Sequence, residues 1–101
     1  MESNKDTFTA RLISIISVEE GLKSEVADCI RIRANIEKRE LKNDDIVAIF
    51  NISGTTSYQA FFIDGNDSIN YIKKSLNKIN TSLNYDSEEI LKRYVKYDDN
   101  E

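Results

Sequence analysis

Two runs of branched and aromatic residues near the middle of the chain constrain the fold more than any other feature. They read IVAIFNI from Ile46 and YQAFFI from Tyr58, and such runs are typical of buried strands. The segment between them, Ser53 to Ser57, has the length and the glycine of a hairpin loop. Because an isolated hairpin is only marginally stable, the strands must pack on helices or pair with another chain, and the second arrangement allows a homodimer.

The part of the chain before these strands predicts helices. Four apolar residues at helical spacing define a first helix over 7–16: Phe8, Leu12, Ile15 and Ile16. Ser17 and Glu20 have the spacing of a capping box, which predicts the start of a second helix. The apolar positions of that second helix are Val18, Leu22, Val26, Cys29 and Ile30.

Residues 30–36 are ambiguous, because apolar and polar residues alternate there as they do in a half-buried strand. No turn residue separates this segment from the helix before it, and the good helix formers EKREL follow it. We therefore favour one long helix that ends near Lys42. If the segment is instead a strand, the sheet gains a third member.

The part of the chain after the hairpin predicts two more helices. Asp67 or Ser68 can cap the first, whose apolar residues are Ile69, Ile72, Leu76 and Ile79, a spacing that Leu83 can extend. NTSLNY at 80–85 reads as a loop. Asp86 and Glu89 then form a capping pair for a last helix, whose apolar face holds Ile90, Leu91, Tyr94 and Val95, with Tyr94 in the core.

The predicted fold is therefore α+β, with two N-terminal helices, a β-hairpin or small antiparallel sheet, and two C-terminal helices. A chain of 101 residues has the usual size of a single domain, so we predict one globular unit over 1–101. Residues 1–5 and 98–101 are expected to fray.

The absence of histidine excludes most catalytic and metal-binding schemes. It removes the usual general base and the usual zinc ligand, and the single cysteine, Cys29, can form no intrachain disulfide. We interpret Cys29 as a small buried apolar residue. Neighbouring acidic pairs such as Glu88 and Glu89 are better explained as solvated or as stabilising a helix dipole. We predict neither an enzyme nor a cofactor.

Two loops resemble ligand sites only superficially. NISGTTS at 51–57 has one glycine and leads into a strand, whereas a phosphate loop leads into a helix. DGNDS at 64–68 begins like a calcium loop but lacks the later glycine and the bidentate acid, because Ile69 and Ser75 stand there. Both are predicted to be turns.

The charge distribution argues for a basic partner. The net charge is -4 and the isoelectric point is near 4.9, which disfavours a broad surface for nucleic acid or anionic membrane. The densest basic cluster is interrupted by Glu37 and Glu40 and consists of Arg31, Arg33, Lys38, Arg39 and Lys42. That segment supports an alternative prediction, a small nucleic-acid-binding regulator, although direct nucleic-acid binding is disfavoured overall.

An acidic, aromatic C-terminal surface is the main candidate for a protein contact, because tyrosine offers area and a hydroxyl at low entropic cost. Its residues are Tyr85, Asp86, Tyr97, Asp98, Asp99 and Glu101. The leading functional prediction is a small acidic inhibitor that blocks a larger basic protein. Inhibitors of this type include phage proteins against CRISPR or restriction systems and immunity proteins or antitoxins that mask nucleases. The N-terminal sequence shows no signal peptide and no membrane span, so we expect a cytoplasmic protein.

Overall fold

A computed structural model describes residues 8–63 and 69–95. These residues form a four-stranded sheet with the strand order β3-β2-β1-β4. The strands are β1 (Phe8–Ser17), β2 (Ile46–Ile52), β3 (Tyr58–Phe62) and β4 (Thr81–Leu83), and the helices are α1 (Val18–Leu22), α2 (Ala27–Glu37), α3 (Ile69–Asn77) and α4 (Tyr85–Leu91). The predicted arrangement is thus wrong, because the described chain begins with a strand and the sheet contains both parallel and antiparallel pairs.

The predicted first helix is instead β1, and a bulge explains the misleading spacing. β1 pairs antiparallel with β2, and the register shifts between Leu12 and Ser14. The extra residue in the bulge keeps Leu12 and Ile15 on the same face of the sheet, although three positions separate them. Ile16 packs on the opposite face. A strand that is irregular and contributes to both faces therefore imitates helical periodicity.

The sheet separates two hydrophobic cores. The first core lies between the sheet and helices α3 and α4, and its buried residues include Phe50, Phe61, Ile72 and Leu91. The second core lies under α1 and α2, and its buried residues include Val18, Ile30, Val47 and Phe62. Both faces of β2 are therefore covered, which is why IVAIFNI is apolar almost throughout.

The predicted long second helix is two helices. Ser17 caps α1 as predicted, its hydroxyl accepting the Glu20 N–H at 3.1 Å. The chain turns after Leu22, and the Ser24 hydroxyl donates to the Gly21 carbonyl at 2.8 Å. The helical interpretation of 30–36 is confirmed, but α2 ends earlier than Lys42, because Lys38 adopts a left-handed conformation with φ of 54°.

The β2–β3 hairpin is confirmed, and residues 51–57 form its turn. Gly54 has φ of 80°, a conformation that side chains disfavour. The Thr55 hydroxyl donates to the Ile52 carbonyl at 2.7 Å and accepts the Ser57 N–H at 3.0 Å. These hydroxyl groups stabilise the turn itself. Residues 64–68, the other predicted turn, lie outside the described residues.

The segment NTSLNY, predicted to be a loop, contains β4. Phe8, Thr9 and Ala10 of β1 pair in parallel with Thr81, Ser82 and Leu83. Three residues are too few to show a period in the sequence, and the strand exists because β1 supplies its partner. This pairing places the start of α4 next to the N-terminal half of β1.

Candidate protein-contact surface

Helix α4 is fixed at its N-terminus by a side-chain cap. The Asn84 side chain accepts hydrogen bonds from the Ser87 N–H at 3.0 Å and the Ser87 hydroxyl at 3.2 Å. Ser87 Oγ also accepts the Leu12 N–H at 2.8 Å, which ties α4 to β1. The prediction that Asp86 and Glu89 cap this helix is wrong, and Asp86 lies in the first turn, where its charge suits the helix dipole.

The outer side of α4 exposes aromatic and apolar groups. Leu91 and Val95 are buried in the first core, whereas 72% of Tyr85, 40% of Ile90 and 56% of Tyr94 is exposed. The prediction that Tyr94 packs in the core is therefore wrong. We define the α4 surface as Tyr85, Asp86, Ile90 and Tyr94.

The backbone under the α4 surface is hydrogen-bonded beyond the end of the helix. The helix ends at Leu91, but the N–H groups of Tyr94 and Val95 donate to the Leu91 carbonyl at 2.9 and 2.8 Å, so the chain continues as a turn. Asp86, Ile90 and Tyr94 follow one another at four-residue spacing, which places them along one side of a helical path. A backbone that is already held by hydrogen bonds needs little further ordering when a partner binds.

The structure tests the location of only part of the predicted contact set. Tyr85 and Asp86 belong to the α4 surface, whereas Tyr97, Asp98, Asp99 and Glu101 lie outside the described residues. The sequence did not assign Ile90 and Tyr94 to a contact surface. When a helix has a wide apolar stripe, its periodicity does not show which of the apolar residues are exposed. The four-residue step from Asp86 through Ile90 to Tyr94 was the available signal.

Several charged side chains around this surface are engaged in ion pairs. Lys92 Nζ lies 2.7 Å from Glu89 Oε2, and Lys73 Nζ of α3 lies 3.0 Å from Glu88 Oε2. Among the described residues, Asp86 makes no ion pair with either lysine, and its side chain is exposed. Asp86 therefore offers a carboxylate to an incoming cation.

The basic segment from Arg31 to Lys42 is divided by intrachain contacts. Arg33 is only 7% exposed: its Nε donates to the Ala60 carbonyl at 2.8 Å, and its guanidinium lies 4.1 Å from the centre of the Phe61 ring. Arg39 pairs with Glu37 at 3.7 Å and Asp45 at 3.3 Å. Two of the five predicted basic contact residues thus stabilise the fold.

The remaining basic residues of that segment do not form one patch on α2. Arg31 is exposed and pairs with Asp28 at 3.3 Å. Lys38 is the C-terminal cap of α2, and Lys42 is exposed in the connection to β2. The geometry therefore gives little support to a phosphate-binding face there.

Cys29 lies beside the β3 edge in a partly buried position. Its Sγ is 3.4 Å from the Tyr58 carbonyl, and its side chain packs against the second core. Burial, and secondarily the negative charge of Asp28, raises the pKa of the Cys29 thiol. A raised pKa disfavours the thiolate, so this cysteine is not prepared for nucleophilic chemistry.

A groove runs along β4. It encloses about 570 Å³ and is lined by Lys73, Lys74, Asn77, Thr81, Ser82, Leu83 and Glu88. The Lys73–Glu88 pair crosses it, and the Ser82 hydroxyl lies 3.5 Å from the Phe8 carbonyl. The groove offers polar groups to a ligand, but its hydroxyl faces a carbonyl, which cannot act as a base.

Residues 8–63 and 69–95 contain neither a metal-binding cluster nor a membrane-spanning helix. There, no group of three or more acidic, histidine or cysteine residues is placed to hold a metal ion. In the same ranges, no helix has the length and apolar character needed to cross a membrane.

Comparison with known proteins gives a family match. A family model described as "Domain of unknown function (DUF749)" matches residues 8–95, which contain both cores and the α4 surface. An uncharacterized protein of Methanocaldococcus jannaschii is 52% identical over 96 residues, which cover 95% of this chain and 85% of the relative. No solved structure matches the chain significantly.

Proposed function

We propose that this chain, which belongs to the family described as a domain of unknown function (DUF749), is an acidic binding protein that uses its α4 surface to block a larger basic protein. The observation that carries the proposal is the exposure of Tyr85, Ile90 and Tyr94 on α4 and the turn that follows it, whose other side is anchored in the first core through Leu91 and Val95. Apolar groups that are exposed side by side, as Ile90 and Tyr94 are at four-residue spacing, mark interaction sites more often than scattered ones do.

The composition of the α4 surface suits a protein contact. Tyrosine is enriched among the residues that dominate binding energy. Ile90, beside Tyr94, adds apolar area from which a partner can exclude water. The Asp86 carboxylate lies at the side of this patch and can pair with a lysine or arginine of the partner.

The net charge of -4 supports a basic partner, because opposite charge accelerates encounter. Neither the family description nor the relative's name assigns an activity. The inhibitor types considered from the sequence, anti-CRISPR, anti-restriction, immunity protein and antitoxin, therefore stay predictions, as do the absence of catalysis and the cytoplasmic location.

The test begins with a purified partner, captured by photo-crosslinking from residue 90 and identified by mass spectrometry. Replacing Tyr85→Ala together with Tyr94→Ala should weaken its affinity at least about tenfold, because buried aromatic contacts dominate interfaces. Ile32→Ala on α2 is the matched control, since Ile32 is exposed on a different element. Asp86→Asn should lower mainly the association rate.

The outcome that contradicts this proposal is a partner whose affinity is unchanged by the double tyrosine variant but lowered by Ile32→Ala. A blocking role further requires that an equimolar amount of the protein suppress the partner's activity, and that the double tyrosine variant fail to do so.

The alternative regulator is tested by fluorescence anisotropy with mixed oligonucleotides. We expect no binding tighter than about the micromolar non-specific level at physiological salt. Nanomolar binding that Arg31→Ala abolishes would instead favour the nucleic-acid role.

A further inference from the structure

The outer edge of β4 is open within 8–63 and 69–95. β4 is the last strand in the order β3-β2-β1-β4, so β1 covers one of its edges and no described strand pairs with the other. The edge of β3, at the far side of the sheet, is partly covered, because Arg33 of α2 donates to the Ala60 carbonyl there. Open edges are templates for a further strand, and β4 offers such an edge.

Two hydrogen bonds to β1 fix the direction of the backbone groups in β4. The Phe8 N–H donates to the Asn80 carbonyl at 3.0 Å, and the Asn84 N–H donates to the Ala10 carbonyl at 2.9 Å. In a parallel pair, alternate residues of a strand bond to the same neighbour. The even-numbered residues over 80–84 therefore direct their backbone groups towards β1.

The odd-numbered residues of β4, Thr81 and Leu83, direct their backbone groups away from β1. Together they present two N–H and two carbonyl groups along the outer edge, and no backbone group of the described chain bonds to them there. The Thr81 side chain is buried and Leu83 packs against the first core, so the strand is held in place from that face. The edge thus carries hydrogen-bonding groups in the pattern that an added strand needs.

The groove along β4 provides space next to this edge. All three residues of β4 line it, and α3 contributes Lys73, Lys74 and Asn77. Its volume of about 570 Å³ falls within the range of about 300–1,000 Å³ that is usual for ligand sites. A segment that pairs with the outer edge of β4 would therefore lie in the groove with α3 beside it.

The charges of the groove favour an acidic occupant. Lys73 Nζ lies 3.0 Å from Glu88 Oε2, whereas Lys74 is exposed and makes no ion pair with any described acid. The lining therefore holds two ammonium groups against one carboxylate, although the chain as a whole carries a net charge of -4. Lys74 is available to a carboxylate of an incoming segment.

We propose that an extended segment of a partner protein, with acidic residues at alternate positions, adds as a strand to the outer edge of β4 and lies in this groove. Its backbone bonds to Thr81 and Leu83, as in other complexes formed by strand addition. Side chains of a strand alternate between two faces, so alternate carboxylates point towards α3 and Lys74. Because β4 has only three residues, backbone pairing is short and these charges select the segment.

The groove is separate from the α4 surface. Glu88 lines the groove and Ile90 belongs to the α4 surface, and residues two apart do not share a side of a helix. The two sites also differ in charge, since Asp86 of the α4 surface suits a cation and Lys74 of the groove suits an anion. This proposal therefore adds a second binding site to the proposed function.

Fluorescence anisotropy with a defined peptide is the primary test. The probe is a fluorescein-labelled peptide of about eight residues in which threonine and glutamate alternate, because threonine favours extended strands. We expect saturable binding to the full chain at physiological salt, with a dissociation constant below about 1 mM. The same peptide with lysine in place of glutamate should not bind, because its charges repel Lys74.

A charge reversal tests the contribution of the groove. Lys74→Glu should raise the dissociation constant of the probe at least about fivefold, because it replaces an attraction by a repulsion. Lys42→Glu is the matched control, since Lys42 is exposed in the connection to β2 and its reversal changes the net charge equally. The control should change the dissociation constant less than about twofold, and thermal melts of both variants check that the fold survives.

N-methylated probes test the backbone pairing. The N–H groups of alternate residues in a strand point to opposite edges, so methylation at every glutamate removes the donors of one edge and methylation at every threonine removes those of the other. The probe that lacks the donors facing β4 should bind at least about fivefold more weakly, whereas the other should bind like the unmodified peptide. Equal affinities of the two methylated probes would show that the peptide does not bind as a strand.

The proposal is overturned if the probe does not saturate up to about 1 mM protein, or if Lys74→Glu and Lys42→Glu weaken it equally. Sedimentation equilibrium of the chain alone checks another occupant, since a dimer that the probe dissociates would assign the edge to a second copy and contradict the proposal. The double tyrosine variant of the α4 surface should keep its affinity for the probe. Failure of the groove proposal therefore leaves the proposed function standing.

Discussion

The phenolic oxygen of Tyr71 lies 2.9 Å from Oε2 of Glu37, and this hydrogen bond joins two helices on opposite faces of the sheet. Tyr71 belongs to α3, and its ring meets Phe61 edge-on at 6.3 Å in the first core. Glu37 is the last residue of α2, and it also lies 3.7 Å from the Arg39 guanidinium. The contact therefore links the two cores around the β3 edge.

Removing this hydroxyl should destabilise the fold modestly. Tyr71→Phe keeps the ring in place and should lower the free energy of unfolding by about 0.5–1.5 kcal/mol, the usual net contribution of such a bond. A double-mutant cycle with Glu37→Gln, measured by urea denaturation, should show coupling between the two side chains. Tyr85→Phe, at an exposed hydroxyl, should change stability by less than about 0.5 kcal/mol. Zero coupling would show that the bond contributes nothing in solution.

The same residue gives a prediction at alkaline pH. Burial, followed by the hydrogen bond and the negative charge of Glu37, raises the pKa of Tyr71 above 10.0. The folded state therefore holds this proton where the unfolded state has lost it, so its stabilising effect is complete below about pH 10 and is lost as the pH rises towards the folded pKa. The stability difference between wild type and Tyr71→Phe should shrink from pH 9 to pH 11. A difference that grows over about this range would contradict this assignment.

Arg33 should be needed for stability rather than for binding. Arg33→Met keeps much of the apolar stem but leaves the Ala60 carbonyl without its charged donor, so we expect a loss of about 2–3 kcal/mol. The matched change Arg31→Met removes only an exposed pair with Asp28 and should cost less than about 0.5 kcal/mol. Chemical denaturation measures both. Equal losses in the two variants would refute the structural role given to Arg33.

A side chain at Gly21 should destabilise the fold while Ile30 is intact. A Cβ at Gly21 would collide with Cδ1 of Ile30 and lie 3.2 Å from Cδ1 of Ile16. Although alanine favours a helix, overpacking should dominate, and Gly21→Ala should lower stability by about 1–2 kcal/mol. In an Ile30→Val background, which removes the colliding methyl group, the same change should cost much less. Thermal melts of the wild type, the two single variants and the double variant measure these losses. If the two substitutions lower stability additively, the predicted collision does not occur.

The hairpin could be predicted because both of its strands are apolar on two faces and its turn carries a glycine. β1 could not, since Leu12 and Ile15 share a face only through a bulge that leaves no mark in the sequence. β4 depends wholly on its parallel partner. Most of the apolar positions were nevertheless correct: Val18, Val26 and Ile30 are buried together although the helix expected to carry them is broken.

The candidate site was predicted less well than the core. Charged residues close in sequence suggested a basic face, but Arg33 and Arg39 reach the β3 edge and the start of β2, contacts that depend on tertiary structure. Tyr85 and Asp86 were identified from composition, whereas Ile90 and Tyr94 required knowledge of which side of α4 faces the sheet. Periodicity shows that a helix has an apolar side, but not how wide the buried part of it is.

The parallel pairing of β4 with the start of β1 has a consequence for the order of folding. The bond from the Leu12 N–H to Ser87 Oγ joins residues 75 positions apart, whereas the hairpin joins neighbours. Contacts between distant parts of a chain carry the larger loop-closure entropy and slow the search for the native state. We expect the hairpin and the helices beside it to form in the transition state, and the docking of β4 and α4 to come after it. The exposed Tyr85 and Tyr94 would then reach their final positions only in this last step of folding.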